Sequence, residues 1–187
     1  MKKTLLIFVL TTIVLTSAAA QQAAQTAPAA EITFNYTRLT GSASNQFAVW
    51  IEDANGQHVK TLYATRWTAA GGFSRRPTSI PLWVKQSNIA GMTKEQVDSI
   101  SGATPKTSAL SFTWDGANAR GAAVPAGEYT LVLEATLRWE NQVYYRAPIA
   151  LGKGSANAQV SVEYTAGERD TTAERAMISD VKVRVLR

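Results

Sequence analysis

The sequence predicts an all-β fold, an antiparallel β-sandwich with a short helical insertion, and three observations carry that expectation. Apolar residues recur at every second position in one short segment after another, the mark of strands with one buried face. Gly, Pro, Asn and Asp punctuate the gaps between those segments. About eight such segments follow the N-terminal region, a spacing that favours an antiparallel sandwich over a parallel α/β sheet.

The elements follow in chain order. Lys2 and Lys3 precede the apolar run Leu5–Leu15 and the small residues Ser17-Ala18-Ala19-Ala20, so residues 1–20 read as a cleavable signal peptide, too short in its apolar part to span a bilayer. Residues 21–30 (QQAAQTAPAA) lack charge and large apolar groups and read as a flexible leader. A single domain is expected over 31–187. Ile32, Phe34 and Tyr36 alternate with polar residues, as do Phe47, Val49 and Ile51. Asp53-Ala54-Asn55-Gly56 supplies a hairpin turn into the returning strand Val59–Ala64. Ser108–Thr113, Glu128–Leu137, Gln142–Leu151, Gln159–Tyr164 and Val181–Leu186 continue the series. Only 73–106 breaks the alternation. There Pro81–Asn88 and Thr93–Ile100 read as short helices, the second opened by a Thr93/Gln96 capping box, with Met92, Val97 and Ile100 as an apolar stripe. An insertion of that length on a rigid scaffold is where function is expected.

Composition narrows the chemistry. The 187 residues are 45% hydrophobic and 18% charged, enough for one domain with a real core. Removing Lys2 and Lys3 leaves 17 basic against 14 acidic side chains, unclustered, so no nucleic-acid partner is expected. The absence of cysteine excludes disulfides, thiolate nucleophiles and thiolate-held metals, and the lone His58 leaves little room for a His-based metal site or hydrolytic triad. No catalytic residue and no metal ligand set is expected. Such a chain reads as a carrier or binding module more than a stand-alone enzyme.

Two resemblances refine the picture. The hairpin Ile51–Leu62, and Trp114-Asp115-Gly116 with Val124-Pro125-Ala126-Gly127-Glu128-Tyr129, resemble immunoglobulin-like domains of the flagellar hook-capping type, which implies an immunoglobulin-like sandwich and not a flagellar role. Most of the chain after the leader resembles an uncharacterised family of predicted periplasmic proteins, a domain of unknown function, whose members tend to be encoded beside flavin transferases and PepSY-type membrane proteins. The resemblance implies the periplasm and names no activity.

The segment Asp98-Ser99-Ile100-Ser101-Gly102-Ala103-Thr104 resembles the flavinylation motif of FMN-binding domains in sodium-pumping and Rnf-type redox complexes. A pattern of that degeneracy arises by chance in about one chain of this length in a thousand. The resemblance implies covalent FMN on Thr104, with Asp98, Ser101, Gly102 and Ala103 as the recognised residues. It also implies two partners, a periplasmic flavin transferase and a PepSY-type or other membrane redox protein with which electrons are relayed. The residue types suit that chemistry. A threonine hydroxyl needs an external base, Gly102 and Ala103 clear space beside it, and Pro105 biases Thr104 toward an extended backbone that would end the helix and hold the hydroxyl outward. Asp98, Ser99, Ser101 and Gly102 are equally ordinary residues for the end of a helix, and both readings stand at this level. The rival expectation is a periplasmic binding or assembly module without cofactor.

Most of the five tryptophans are expected to be packing residues, and Trp83 and Trp114, which flank the motif-bearing insertion, are the best candidates for a stacking surface toward a flavin ring. Arg75-Arg76 lie in the same region, where they suit phosphate or a reduced flavin, although a solvated loop face is the commoner role. His58, just past the hairpin turn, is expected to be an exposed polar residue.

Overall fold

The computed structural model describes residues 28–41, 44–165, 167, 169–170 and 172–187; the expected signal peptide and most of the expected leader lie outside the described residues. The first strand, β1 (Ala30–Tyr36), buries Ile32, Phe34 and Tyr36 as their alternation predicts. It starts inside the expected leader: Ala29 and Ala30 are wholly buried, and the Ala29 N–H donates to the Trp114 carbonyl at 2.6 Å. Small side chains need no apolar bulk to be recruited when the backbone ladder holds them.

Two sheets form the sandwich. β1 is flanked by β5 (Ser108–Trp114) and β10 (Ile178–Val185), with β8 (Ala156–Ala158) at the far edge. The second sheet runs β4 (Ser101–Gly102), β3 (His58–Thr65), β2 (Gln46–Asp53), β6 (Gly127–Arg138), β7 (Asn141–Leu151) and β9 (Ser161–Tyr164). All pairings are antiparallel except β3 with β4. The segment expected as one strand, Gln159–Tyr164, starts later as β9, which pairs with β7, while β8 just before it pairs with β10 in the other sheet. Between the sheets lie Phe34, Phe47, Val49, Ile51, Leu131, Leu133, Ile149 and Val183. Trp114 and Tyr129 meet at this end of the core with ring centroids 5.1 Å apart. The Tyr129 hydroxyl donates to the Pro125 carbonyl and the Trp114 indole N–H to the Ala117 carbonyl, so both polar tips of the buried rings are satisfied.

The alternation in β2 predicts one buried face, and the structure buries both. Phe47, Val49 and Ile51 face the sandwich core, whereas Ala48 and Trp50 face a second cluster with Ala64, Ala69, Ile80, Trp83, Ile89 and Val132. The helical insertion supplies that cover. It begins earlier than residue 73, with a distorted helical turn Thr68–Gly72 interrupted at Gly71 (φ +100°), followed by α1 (Phe73–Arg75), α2 (Pro81–Ser87) and α3 (Lys94–Ile100). Full burial of Ile80 and Ile89 contributes about 1.5–3 kcal/mol each.

A carboxylate from the sheet fixes α2. Glu134 of β6 is fully buried, and its two oxygens accept from the Leu82 N–H at 3.1 Å and the Trp83 N–H at 2.8 Å. These are among the backbone donors that a helix start leaves unpaired. Desolvation raises the Glu134 pKa to about 7 against those stabilising bonds. α3 is fixed by its own residues: the Gln96 N–H donates to Thr93 Oγ1 at 3.3 Å and the Thr93 N–H to Gln96 Oε1 at 2.8 Å, the capping box read from the sequence. No helix among the described residues is long and apolar enough to cross a membrane.

Candidate functional site

The motif occupies the junction between α3 and the edge of the larger sheet. α3 ends at Ile100, so Ser101 and Gly102 are extended and pair with Ala64 and Thr65 of β3. Asp98 is in the last turn of α3, where a carboxylate opposes the helix dipole. The structure gives it a counter-ion: Arg66 Nη2 lies 2.7 Å from Asp98 Oδ1, both side chains being more than a third exposed. Ser101 Oγ is buried without a hydrogen-bond partner among the described residues.

Gly102 is where the chain passes closest to Tyr63. A Cβ at that position would lie 2.7 Å from Tyr63 Cε2, closer than nonbonded carbon atoms tolerate. Tyr63 in turn donates its hydroxyl to the Ala103 carbonyl at 2.7 Å, and its ring stacks on Phe47 at 5.2 Å and packs on Phe112 at 4.9 Å. Ala103 is exposed and Thr104 half-buried. The Thr104 hydroxyl has one long contact, with Gln46 Nε2 at 3.5 Å.

Thr104 lines a cavity of about 340 Å³ with Ser44, Gln46, Trp67 and Arg76. Gln46 is its buried floor. Its Oε1 accepts from the Thr68 hydroxyl at 3.0 Å, and the Thr68 and Ser79 hydroxyls lie 2.6 Å apart, which ties the start of β2 to the insertion. Arg76 Nη2 donates to the Trp139 carbonyl at 2.8 Å, and burial pushes the guanidinium pKa down while Glu140 opposes the shift. The cavity thus brings together a weakly engaged hydroxyl, a held cation and an indole that is 42% exposed.

Two expectations about this region are corrected. Trp83 and Trp114 are fully buried and present no ring to a ligand. Trp83 instead packs in the second core and donates its indole N–H to Thr61 at 3.0 Å. A large ring within an insertion is a natural means of seating it on a sheet, which is why Trp83 went inward, whereas Trp114 fills the sandwich core against Tyr129. Nor is His58 simply exposed: it is half-buried, 2.8 Å from Thr61 Oγ1, and burial pushes its pKa down to about 4.

Sequence reasoning did not single out Trp67, Gln46 or Ser44 as parts of a site. Trp67 stands outside every alternating segment and is followed by Gly71-Gly72, and that isolation was the available signal. Gln46 and Ser44 gave none. Of the Arg75-Arg76 pair, the structure brings Arg76 into the cavity and sets the Arg75 guanidinium 5.8 Å from the centre of the Trp67 ring.

Other cavities differ in character. One of about 420 Å³, walled by Phe73, Ile89, Met92 and Val97, is also lined by Arg66 and Asp98. Another of about 410 Å³ lies between Asp115 and Gly152. Its charged residues are engaged, Asp115 with Lys60 at 2.8 Å and Arg187 with the Asp115 carbonyl at 2.7 Å.

A family described as "Predicted periplasmic protein (DUF2271)" matches residues 29–169, from the residue before β1 to beyond β9, with every residue of the Thr104 cavity inside the match. No curated protein and no solved structure matches the chain.

Proposed function

The chain belongs to the DUF2271 family of predicted periplasmic proteins, and from that premise we propose that it is an exported carrier of covalent FMN, attached at Thr104, that exchanges electrons with a membrane redox partner. One observation supports this most. The last residue of the motif lines a cavity with an exposed indole and a guanidinium, and its hydroxyl has no strong structural bond to give up. The residues fit the group: Thr104 as acceptor, Arg76 as the cation facing phosphate or reduced ring, and Trp67 as the aromatic surface. FMN, when attached, supplies a reversible electron uptake that these side chains do not have.

The chain's own residues prepare the acceptor. The Tyr63 bond to the Ala103 carbonyl fixes the backbone just before Thr104. Gly102 admits the Tyr63 ring, and Gln46 holds the hydroxyl only loosely. In the attachment step the Thr104 Oγ–phosphorus bond forms as the pyrophosphate bond of FAD breaks. AMP departs, and the hydroxyl proton passes to a base of the transferase.

The test is co-expression with a periplasmic flavin transferase, followed by denaturation, in-gel flavin fluorescence and the mass of the Thr104 peptide. An FMN-sized increase on that peptide is expected, lost completely in Thr104→Ala and retained in Thr107→Ala, since Thr107 Oγ1 already accepts from the Arg38 N–H at 2.9 Å. An unmodified peptide, with a known acceptor labelled in parallel, overturns the carrier reading in favour of a cofactor-free binding module.

A further inference from the structure

We propose that Trp67 is the stacking wall of a flavin-ring subsite formed with Arg76 beside Thr104, an inference that rests on the Thr104 acceptor reading. Three features of the indole set it apart. It is the only exposed aromatic in the set of large exposed apolar side chains among the described residues, the other member being Val162 on the edge strand β9. It is held in place: the Gly72 backbone packs so closely that a Cβ there would lie 2.6 Å from Trp67 Cε3, and Arg75 sits 5.8 Å from the ring centre. It also lines the same cavity as Thr104.

An exposed indole is costly to leave in water when it could have been buried, and here the local backbone keeps it out. The turn Thr68–Gly72 departs from helical geometry at Ala70 and Gly71, and local distortions of this sort concentrate at functional sites. The residues on either side, Thr65, Thr68 and Ala69, are buried, so the turn is anchored while Trp67 projects.

The charge of the cavity suits a flavin ring. Ser44 is more than nine-tenths buried, and its Oγ meets no hydrogen-bond partner among the described residues. The residue lines the same cavity, but that oxygen is enclosed, so Ser44 shapes the wall and offers no polar atom to a ring edge. Arg76 adds a positive charge suited to an anionic reduced ring, and Arg75 supports the indole from its side. An aromatic wall and a cation converging beside the attachment point are what an isoalloxazine requires and what a bare surface loop does not.

The experiment uses the full chain labelled by co-expression, as wild type, Trp67→Ala and Trp67→Phe, each first checked for FMN mass on the Thr104 peptide. Flavin emission at matched absorbance and circular dichroism in the flavin bands are then compared. Stacking on an indole quenches the flavin, so emission is expected to rise several-fold in Trp67→Ala, with loss of the induced dichroism, and Trp67→Phe is expected to retain part of the dichroism. Labelled Trp67→Ala with wild-type emission and dichroism overturns the stacking wall and leaves the acceptor standing. Wild type without FMN on Thr104 overturns both.

Discussion

Replacing Gly102 by alanine separates the structural meaning of the motif from its chemical one. Gly102 has no positive φ to protect, so the cost of a methyl group there is a matter of space. The new Cβ would lie 2.7 Å from Tyr63 Cε2 and 3.2 Å from the Tyr63 hydroxyl. Tyr63 cannot swing away freely, because Phe47 and Phe112 hold its ring and the Ala103 carbonyl holds its hydroxyl. Displacing it forfeits about 1 kcal/mol for the hydrogen bond and about 0.5–1.5 kcal/mol for the aromatic contacts. Gly102→Ala is therefore expected to destabilise by about 1–3 kcal/mol, in the range for overpacking. Urea unfolding reads this as a lowered midpoint with an unchanged slope. In a Tyr63→Leu background the added methyl should cost less than about 0.5 kcal/mol, because the obstructing ring edge is gone. An equal cost in both backgrounds would refute the steric account, as would a Gly102→Ala chain as stable as wild type.

Two more expectations concern charge. Asp98→Asn breaks the pair with Arg66, but both side chains are well exposed, so stability should change by less than about 1 kcal/mol in thermal or urea unfolding; a large fall in Thr104 labelling beside that small stability change would assign Asp98 to transferase recognition. Glu134 binds its proton more tightly in the fold, near pH 7 against 4.5 in the free chain, so its contribution is fully present below about pH 4.5 and lost as pH rises through 7. The shift corresponds to roughly 3 kcal/mol at most. His58 acts the other way, since a pKa lowered from 6.5 to about 4 destabilises the fold as pH falls through that window. Glu134→Gln should therefore remove the alkaline-side loss and leave the acid-side loss of His58 exposed in unfolding free energies measured from pH 4 to 8. An unchanged pH profile would show that Glu134 stays ionised in the fold.

How much of this was legible depends on which contacts each element makes. Strands such as β1 and β7 were readable because one face meets the core and the other is less buried, so period-two patterning survives in the residue types. β2 carries the same pattern but is covered on both sides, and Ala48 and Glu52 do not advertise it. Glu52 is buried by pairing with Arg146 at 3.1 Å and by the Trp50 indole N–H at 3.0 Å, partners far from it or hidden in the alternation. The α3 cap was legible because its partners are three residues apart. The Thr104 cavity was not, because Gln46, Trp67, Arg76 and Thr104 come from the start of β2, two parts of the insertion and the segment after β4, and only the folded insertion brings them together.

The insertion is thus no loose loop carrying a motif. Its apolar residues complete a second core on the outer face of the larger sheet, and that core fixes where the motif emerges. Within the motif, nearly every residue has a task that folding alone accounts for. Asp98 balances Arg66, Gly102 makes room for Tyr63, the Ala103 carbonyl accepts from Tyr63, and Ser101 extends the sheet edge. A motif that served only to end a helix would need nothing more. Thr104 is set apart by its surroundings: its hydroxyl has a single contact at 3.5 Å, and the residue lines a cavity with an indole and a guanidinium. The ordinary helix-end reading and the flavin-acceptor reading therefore agree on Asp98, Ser101, Gly102 and Ala103, and they part at Thr104, where attached FMN can be labelled and weighed.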